Sequence, residues 1–267
     1  MDQQSMDQQS ISDCGDELYE AMRGGHTVAP LTSRYPNISL DDAYHISLQF
    51  LQRRRDAGEV VIGKKIGVTS PAVQQMLNVY QPDFGFLTDK MAYRDHAQIP
   101  LSGNLIQPRA EAEIAFFLNQ DLVGPGITEQ DVLAATESII PCFEIVDSRI
   151  ENWQIKIEDT VADNASCGAY VLGEQAVDPR QFDLAELKVS VFKNGQPLSE
   201  GYGCAVQGNP LTAVAWLANT LGKYDIPFKA GEVILSGSMV PLEPVAPGDD
   251  MFMELHGVGS VSMKIGA

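Results

Sequence analysis

Positive charge is what this sequence has least of: 18 lysines and arginines stand against 36 aspartates and glutamates, a formal net charge of −18 in 267 residues. That balance excludes nucleic acid or an anionic membrane as the expected partner, because both need clustered Lys and Arg. Long apolar runs are missing too, and none approaches the ~18 residues needed to span a bilayer. The opening MDQQSMDQQS is polar and acidic, so a secretory signal is not expected and a cytoplasmic setting is. Its repeated pentapeptide reads as a duplicated start, with Met6 as a second candidate initiator, and is set aside from the fold. Cysteines number four, and Cys14, Cys142, Cys167 and Cys204 lie far apart without paired spacing. Reduced thiols are expected, not a zinc site or a disulfide frame. Histidine is as scarce, and His26, His45, His96 and His256 show no ligand or catalytic spacing. Surface or satisfied core is their expected fate.

What remains is the composition of an ordinary globular chain, 44% apolar and 20% charged, long enough for one sizeable structural unit. A helix is expected over 11–23, ending at Gly24-Gly25, and a second over SLDDAYHISLQFLQRRRDAG, with Ser39 as N-cap and Gly58 as stop. EVVIGKKIGVTS reads as a strand, followed by a short helix with Ser70 as cap and Pro71 in its first turn. After the turn in QPDFGFL the pattern is mainly β, broken by a helix from Thr128 to about Ser138 and another at NPLTAVAWLANTLGKY, capped by Asn209. VSVFKNGQPLS predicts a hairpin with Asn194-Gly195 in a type I′ turn. Regular βαβ alternation is absent, so the fold class is α+β with a strand-rich, barrel-like core. The organisation expected is a helical region over 1–60 packed on a β-rich catalytic core over 61–267.

The stretch PRAEAEIAFF, 108–117, places Glu111 and Glu113 two residues apart in an apolar strand, so both carboxylates point to one face. A third acid, Glu144, stands alone in the apolar strand IIPCFEIVDSR. Three buried, unpaired carboxylates would each tend to take up a proton. A divalent cation removes that penalty, and all-oxygen ligands suit Mg²⁺ or Mn²⁺. Alternatively each glutamate pairs with a cation such as Arg109 or Arg149. The spacing does not choose between these readings. If the substrate is an anion, a metal and a few Lys or Arg must supply local positive charge against the overall field.

Other polar groups sit in apolar context. Lys64 and Lys65 are adjacent in a strand, so one must face inward and the other is expected in solvent. Asp83 in QPDFG reads as an Asx-turn residue, and Asp159, Asp163, Asn164 and Ser166 crowd a short stretch where turns or caps would account for them.

Five stretches in consistent order, VIGKKIGVTSPAVQQMLNVYQPDFGFL, IQPRAEAEIAFFL, IIPCFEIVDSRI, DTVADNASCGAYVLG and GEVILSGSMVPLEPVAPGD, resemble the 2-hydroxypenta-2,4-dienoate hydratases of aromatic meta-cleavage catabolism. These belong to the hydratase/decarboxylase family of the fumarylacetoacetate hydrolase superfamily, and the likeness runs from about residue 16 to the C-terminus. It implies a mixed β-sheet roll and a divalent metal on Glu111, Glu113 and Glu144. It further implies that Lys65 holds and polarises a 2-oxo acid, and that Asp83 and Ser166 serve proton transfer and positioning. The implied reaction is metal-assisted ketonisation of the dienol, then water addition giving 4-hydroxy-2-oxopentanoate. A homo-oligomer is implied, as is association with a 2-oxo-3-hexenedioate (4-oxalocrotonate) decarboxylase. The sister decarboxylase activity is the alternative, although those enzymes carry an apolar residue where this chain has Asp83. A non-catalytic partner subunit of that decarboxylase is a further alternative, disfavoured by the intact acids. A C–C bond hydrolase would need a His/Glu dyad, and no histidine motif supplies one.

Overall fold

The computed structural model describes residues 6–102 and 105–267. Three helices come first, α1 (Gln8–Gly24), α2 (Leu31–Arg34) and α3 (Leu40–Asp56). Ser39 and Asp42 form a reciprocal capping box at the start of α3, and Gly25 in the left-handed region ends α1. The first pentapeptide lies outside the described residues. The second copy, set aside above, belongs to the fold: the Asp7 carboxylate caps α1, and the Met6 amide donates to Asp42.

Next come β1 (Val61–Gly67), α4 (Pro71–Leu77), β2 (Asp83–Thr88) and the short strands β3 (Ala92–Arg94) and β4 (Ala97–Ile99). They are followed by β5 (Pro108–Leu118), α5 (Glu129–Ala135), β6 (Thr136–Asp147), α6 (Ile157–Ala162) and β7 (Cys167–Leu172). The expected helix over 128–138 is therefore too long. From Thr136 the chain enters β6, whose apolar residues gain more from sheet burial than from another helical turn. The predicted hairpin is present between β8 (Lys188–Lys193) and β9 (Gln196–Tyr202), with positive φ at both Asn194 and Gly195. The chain closes with α7 (Pro210–Gly222), β10 (Val233–Leu235), β11 (Glu243–Pro244), β12 (Asp250–Leu255) and β13 (Gly259–Ile265).

An eight-stranded mixed sheet runs β2-β1-β10-β5-β6-β7-β3, with β11 added to β5, and a five-stranded sheet runs β4-β13-β12-β8-β9. The smaller sheet packs through β12 and β13 against β6 and β7. Strict alternation along β12 buries Met251, Met253 and Leu255 against Ile114, Phe116, Phe143 and Ile145 of the larger sheet's core. Each such side chain contributes roughly 1.5–3 kcal/mol of burial. The helices α1, α3 and α6 close a second cluster around Leu18, Ile46, Phe50 and Val161.

The larger sheet curls into a half-barrel, so that β2 at one end approaches the segment leading into β7. The Phe86 N–H donates to Asn164 Oδ1 at 2.8 Å, and Asn164 Nδ2 donates to the Phe86 carbonyl at 3.0 Å. One side-chain amide thus stands in for a neighbouring strand and satisfies a buried edge. No helix among the described residues is long and apolar enough to cross a membrane.

Candidate metal centre and acidic cleft

β5 and β6 pair antiparallel, and their register sets Glu111 directly opposite Glu144, with Glu113 opposite Cys142. Like charges directly across a ladder repel, so this register carries a cost unless a cation shares them. Carboxylate oxygens of Glu111, Glu113 and Glu144 lie within 4.8 Å of one another, and all three side chains are buried. Glu113 Oε1 and both oxygens of Glu144 accept no hydrogen bond, although buried acceptors are rarely left so. The second Glu113 oxygen accepts from the Gly237 N–H at 2.8 Å. Gly237 has φ 109°, and a Cβ there would strike the Thr69 side chain, so only glycine presents this donor.

Lys65 Nζ stands 3.2 Å from Glu144 Oε1 and, among the described residues, is the one cation in an ion pair with the trio. Three ionised carboxylates and one ammonium leave two negative charges uncompensated, the charge of a divalent ion. The donor set is all oxygen, as Mg²⁺ and Mn²⁺ prefer. Arg109 and Arg149, the alternative partners considered from sequence, are engaged elsewhere. Arg149 is buried against Asp163, its Nε 2.5 Å from the carboxylate, and Arg109 stacks on Trp153.

Electrostatics follow from this burial. The Glu111 carboxyl is pushed up to about 8, by burial first and by the Glu144 charge second, against Lys65. Burial also raises Glu113 well above the carboxylate range, with Glu144 and Glu111 adding to it. Burial lifts Glu144 as well, opposed by Lys65. For Lys65, burial alone would lower the pKa, but Glu144, Cys167, Asp83 and Glu111 outweigh it and hold the ammonium charged.

Beside the trio runs a narrow cleft whose lining includes Lys65, Asp83, Glu111, Thr160 and Ser166, with apolar walls from Val68, Val73, Leu77, Val146, Trp153 and Leu242. Asp83 is the first residue of β2, not part of an exposed turn, and is 1% exposed. Thr160 donates to its Oδ2 at 2.8 Å, while Oδ1 has no partner. Burial raises the Asp83 pKa, with Lys65 and the Thr160 hydroxyl opposing. Gly67 makes room for this arrangement, since a Cβ there would lie 2.2 Å from Asp83 Oδ1 and 3.2 Å from Lys65 Nζ. The hydroxyl of Ser166 is buried without a partner. Lys64, expected in solvent, is buried on the opposite sheet face, where it pairs with Glu232 at 2.5 Å beneath the Phe228 ring.

Backbone strain marks the same place. Asn164, Ala165 and Ser166 all have positive φ, as do Val68, Asn152 and Trp153, and of these Val68, Trp153, Ala165 and Ser166 line the cleft. Such conformations cost roughly 1–3 kcal/mol each and persist where the surroundings enforce them. Here the clamp is Arg149, whose backbone N–H and Nε both donate to Asp163, and whose Nη2 donates to the Asp163 carbonyl at 2.6 Å. Thr160, Trp153 and Gly237 escaped the sequence reading. The first two gave no signal in their own spacing, and Gly237 was hidden among other turn glycines.

Comparison with known proteins agrees with the geometry. Residues 61–265 match the family described as fumarylacetoacetate (FAA) hydrolase C-terminal. A 2-hydroxyhexa-2,4-dienoate hydratase from Comamonas testosteroni is 61% identical over 97% of this chain and 98% of its own length. A 2-hydroxypent-2,4-dienoate hydratase from Pseudomonas putida is 64% identical over 83% of this chain and 100% of its own. Among solved structures, the 4-oxalocrotonate decarboxylase from Pseudomonas putida G7, complexed with magnesium and adipate, superposes with a TM-score of 0.93 at 34% identity, covering 97% of this chain and 98% of that one.

Proposed function

Because this chain belongs to the fumarylacetoacetate hydrolase family, we propose that its acidic cleft adds water to 2-hydroxypenta-2,4-dienoate (2-oxopent-4-enoate), giving 4-hydroxy-2-oxopentanoate in aromatic meta-cleavage catabolism. The observation that carries this reading is identity above 60% to two hydratases, over 97% and 83% of this chain, against 34% to a decarboxylase of the same fold. The two hydratases are named for substrates one carbon apart, so a C5 methyl group falls within the proposed substrate class.

Glu111, Glu113 and Glu144 would hold Mg²⁺ or Mn²⁺, which when bound polarises the 2-oxo group and offsets the negative charge developing there. Lys65, kept charged by its anionic neighbours, donates to an oxygen of the 2-oxo acid. Asp83 is the acid/base: its raised pKa favours a proton for delivery to carbon, and after giving it up the carboxylate can take one from water. Thr160 holds one Asp83 oxygen and leaves the other for this transfer. Ser166, with its free hydroxyl, positions the water or the substrate. The apolar walls limit competing bulk water.

Cys14, Cys142 and Cys167 are buried free thiols, which supports a reducing, cytoplasmic setting. A homo-oligomer and a complex with the related decarboxylase belong to the same proposal, to be checked by light scattering of the chain alone and of the mixture. The deciding experiment incubates the metal-loaded chain with the dienol acid and, separately, with 2-oxo-3-hexenedioate, identifying products by NMR. Hydration of the first is expected. CO₂ release from the second without hydration of the first would reverse the assignment.

A further inference from the structure

In a chain with twice as many acids as bases, a half-buried arginine without an acid partner stands out. Arg34, Arg53, Arg54, Arg149 and Arg180 each reach an acid within 2.9 Å. Arg109 reaches none among the described residues. Its guanidinium lies 4.8 Å from the centroid of the Trp153 ring, and Nη1 makes a 3.6 Å contact with Met76 Sδ. Burial pulls its pKa down, and no anion offsets that. Half of its natural recognition chemistry, a planar fork of donors, is therefore unused.

Position makes this more than a packing detail. Arg109, Glu111 and Glu113 occupy alternate positions of β5 and share one face. Exposure falls along that face from half-buried Arg109 to 5% at Glu111 and 0% at Glu113. Arg109 thus lies on the solvent side of the trio, beside the cleft and not among its lining side chains, of which Glu111 is one. Arg109's cross-strand partner Val146 and its stacking partner Trp153 both line the cleft. Trp153 is itself held, its Nε1 donating to the Gln107 carbonyl at 3.0 Å. A fixed indole face holds in place the guanidinium that lies over it.

We infer that Arg109 is the carboxylate receptor at the mouth of the cleft, its fork binding the C1 carboxylate of the substrate while Trp153 holds the guanidinium in place. The inference rests on the reading of the site as one for a small 2-oxo acid. It answers how an anion is drawn into a protein of strongly negative net charge: the captured carboxylate meets an arginine first and the trio's cation site beyond it.

The test uses binding, so that it stands apart from turnover. The probes are 2-oxopentanoate, which lacks the double bond needed for hydration, and 2,3-pentanedione, which keeps the vicinal oxygens and lacks the carboxylate. Affinities of Mg²⁺-loaded wild type, R109M and R109K are measured by calorimetry, with bound metal quantified in each. R109M should weaken 2-oxopentanoate roughly 10- to 100-fold, as for loss of a charge-assisted pair, and leave pentanedione unchanged. R109K, which keeps charge and loses the fork, should fall between, and it decides the matter if R109M does not fold. With the dienol acid, KM should rise by a similar factor while kcat stays within about threefold. Unchanged 2-oxopentanoate affinity, equal loss for both probes, or loss of bound metal would overturn the inference. So would loss of affinity confined to a longer dicarboxylate such as adipate, which would place Arg109 at the far end of the ligand. If Arg109-dependent binding is present but wild type does not hydrate the dienol acid, the proposed reaction fails and the receptor role remains.

Discussion

Replacing Glu111 with glutamine should stabilise the metal-free protein at pH 8 and do so by no more than about 1 kcal/mol at pH 5. The folded-state pKa of Glu111 is pushed up from 4.5 to about 8, by burial and then by Glu144. In the unfolded chain the same carboxyl titrates near ~4.3. Between those values the folded state binds more protons than the unfolded one, so stability falls as pH rises and the loss is complete above about 8. At about 1.36 kcal/mol per pH unit the whole window amounts to about 5 kcal/mol, a ceiling because Glu113 and Glu144 titrate as one set with Glu111. Glutamine keeps the shape and carries no charge, so E111Q should gain on the order of 2–4 kcal/mol at pH 8, a rise in Tm of roughly 5–10 °C. Scanning calorimetry of EDTA-treated wild type and E111Q from pH 5 to pH 8.5 reads this directly. Added Mg²⁺ should then raise the Tm of wild type far more than that of the variant. A wild-type Tm flat across the window, or an E111Q protein less stable than wild type at pH 8, would refute the account of the trio as an uncompensated acidic cluster.

EDTA should abolish turnover and Mg²⁺ or Mn²⁺ restore it, with E113Q weakening metal binding in a titration; full activity in rigorously metal-free protein would remove the cation from the site. D83N keeps the shape and removes the titratable group, so kcat should fall at least ~10²-fold while KM changes much less, as expected for a positioned acid/base. A near-wild-type kcat would take Asp83 out of the mechanism. N164A leaves the Phe86 N–H and C=O unpaired inside the roll and should cost about 2–5 kcal/mol in urea denaturation. A variant as stable as wild type would show that water or a backbone shift replaces the amide.

Much of the local structure is legible in the chain itself, for local reasons. Ser39, Ser70 and Asn209 start helices because a side-chain oxygen there takes an orphan N–H, and Asn194-Gly195 turns because both residues tolerate positive φ. The shared face of Glu111 and Glu113 is equally local, a consequence of strand pleat. Motif resemblance went further, drawing Lys65, Asp83, Glu144 and Ser166 to attention together. Spacing alone could not say whether the acids meet a metal or an arginine. The β5–β6 register, which sets Glu144 across from Glu111, and Asp163, which takes Arg149 away, leave the three acids together with no arginine paired to them among the described residues. Register depends on how the whole apolar set of both strands packs, so no window of sequence contains it. The same holds for Asp83, which looked like a turn residue until β1 and β2 buried it beside Lys65, and for Lys64, which needed Glu232 from 168 residues away. It holds too for the left-handed run at 164–166, which only the buried Arg149 clamp and the strand-like bond from Asn164 to Phe86 can sustain. Sequence by itself determined the elements and the chemical types available; tertiary packing decided which charges met enough counter-charge and which were left short of it, and that imbalance marks the candidate site.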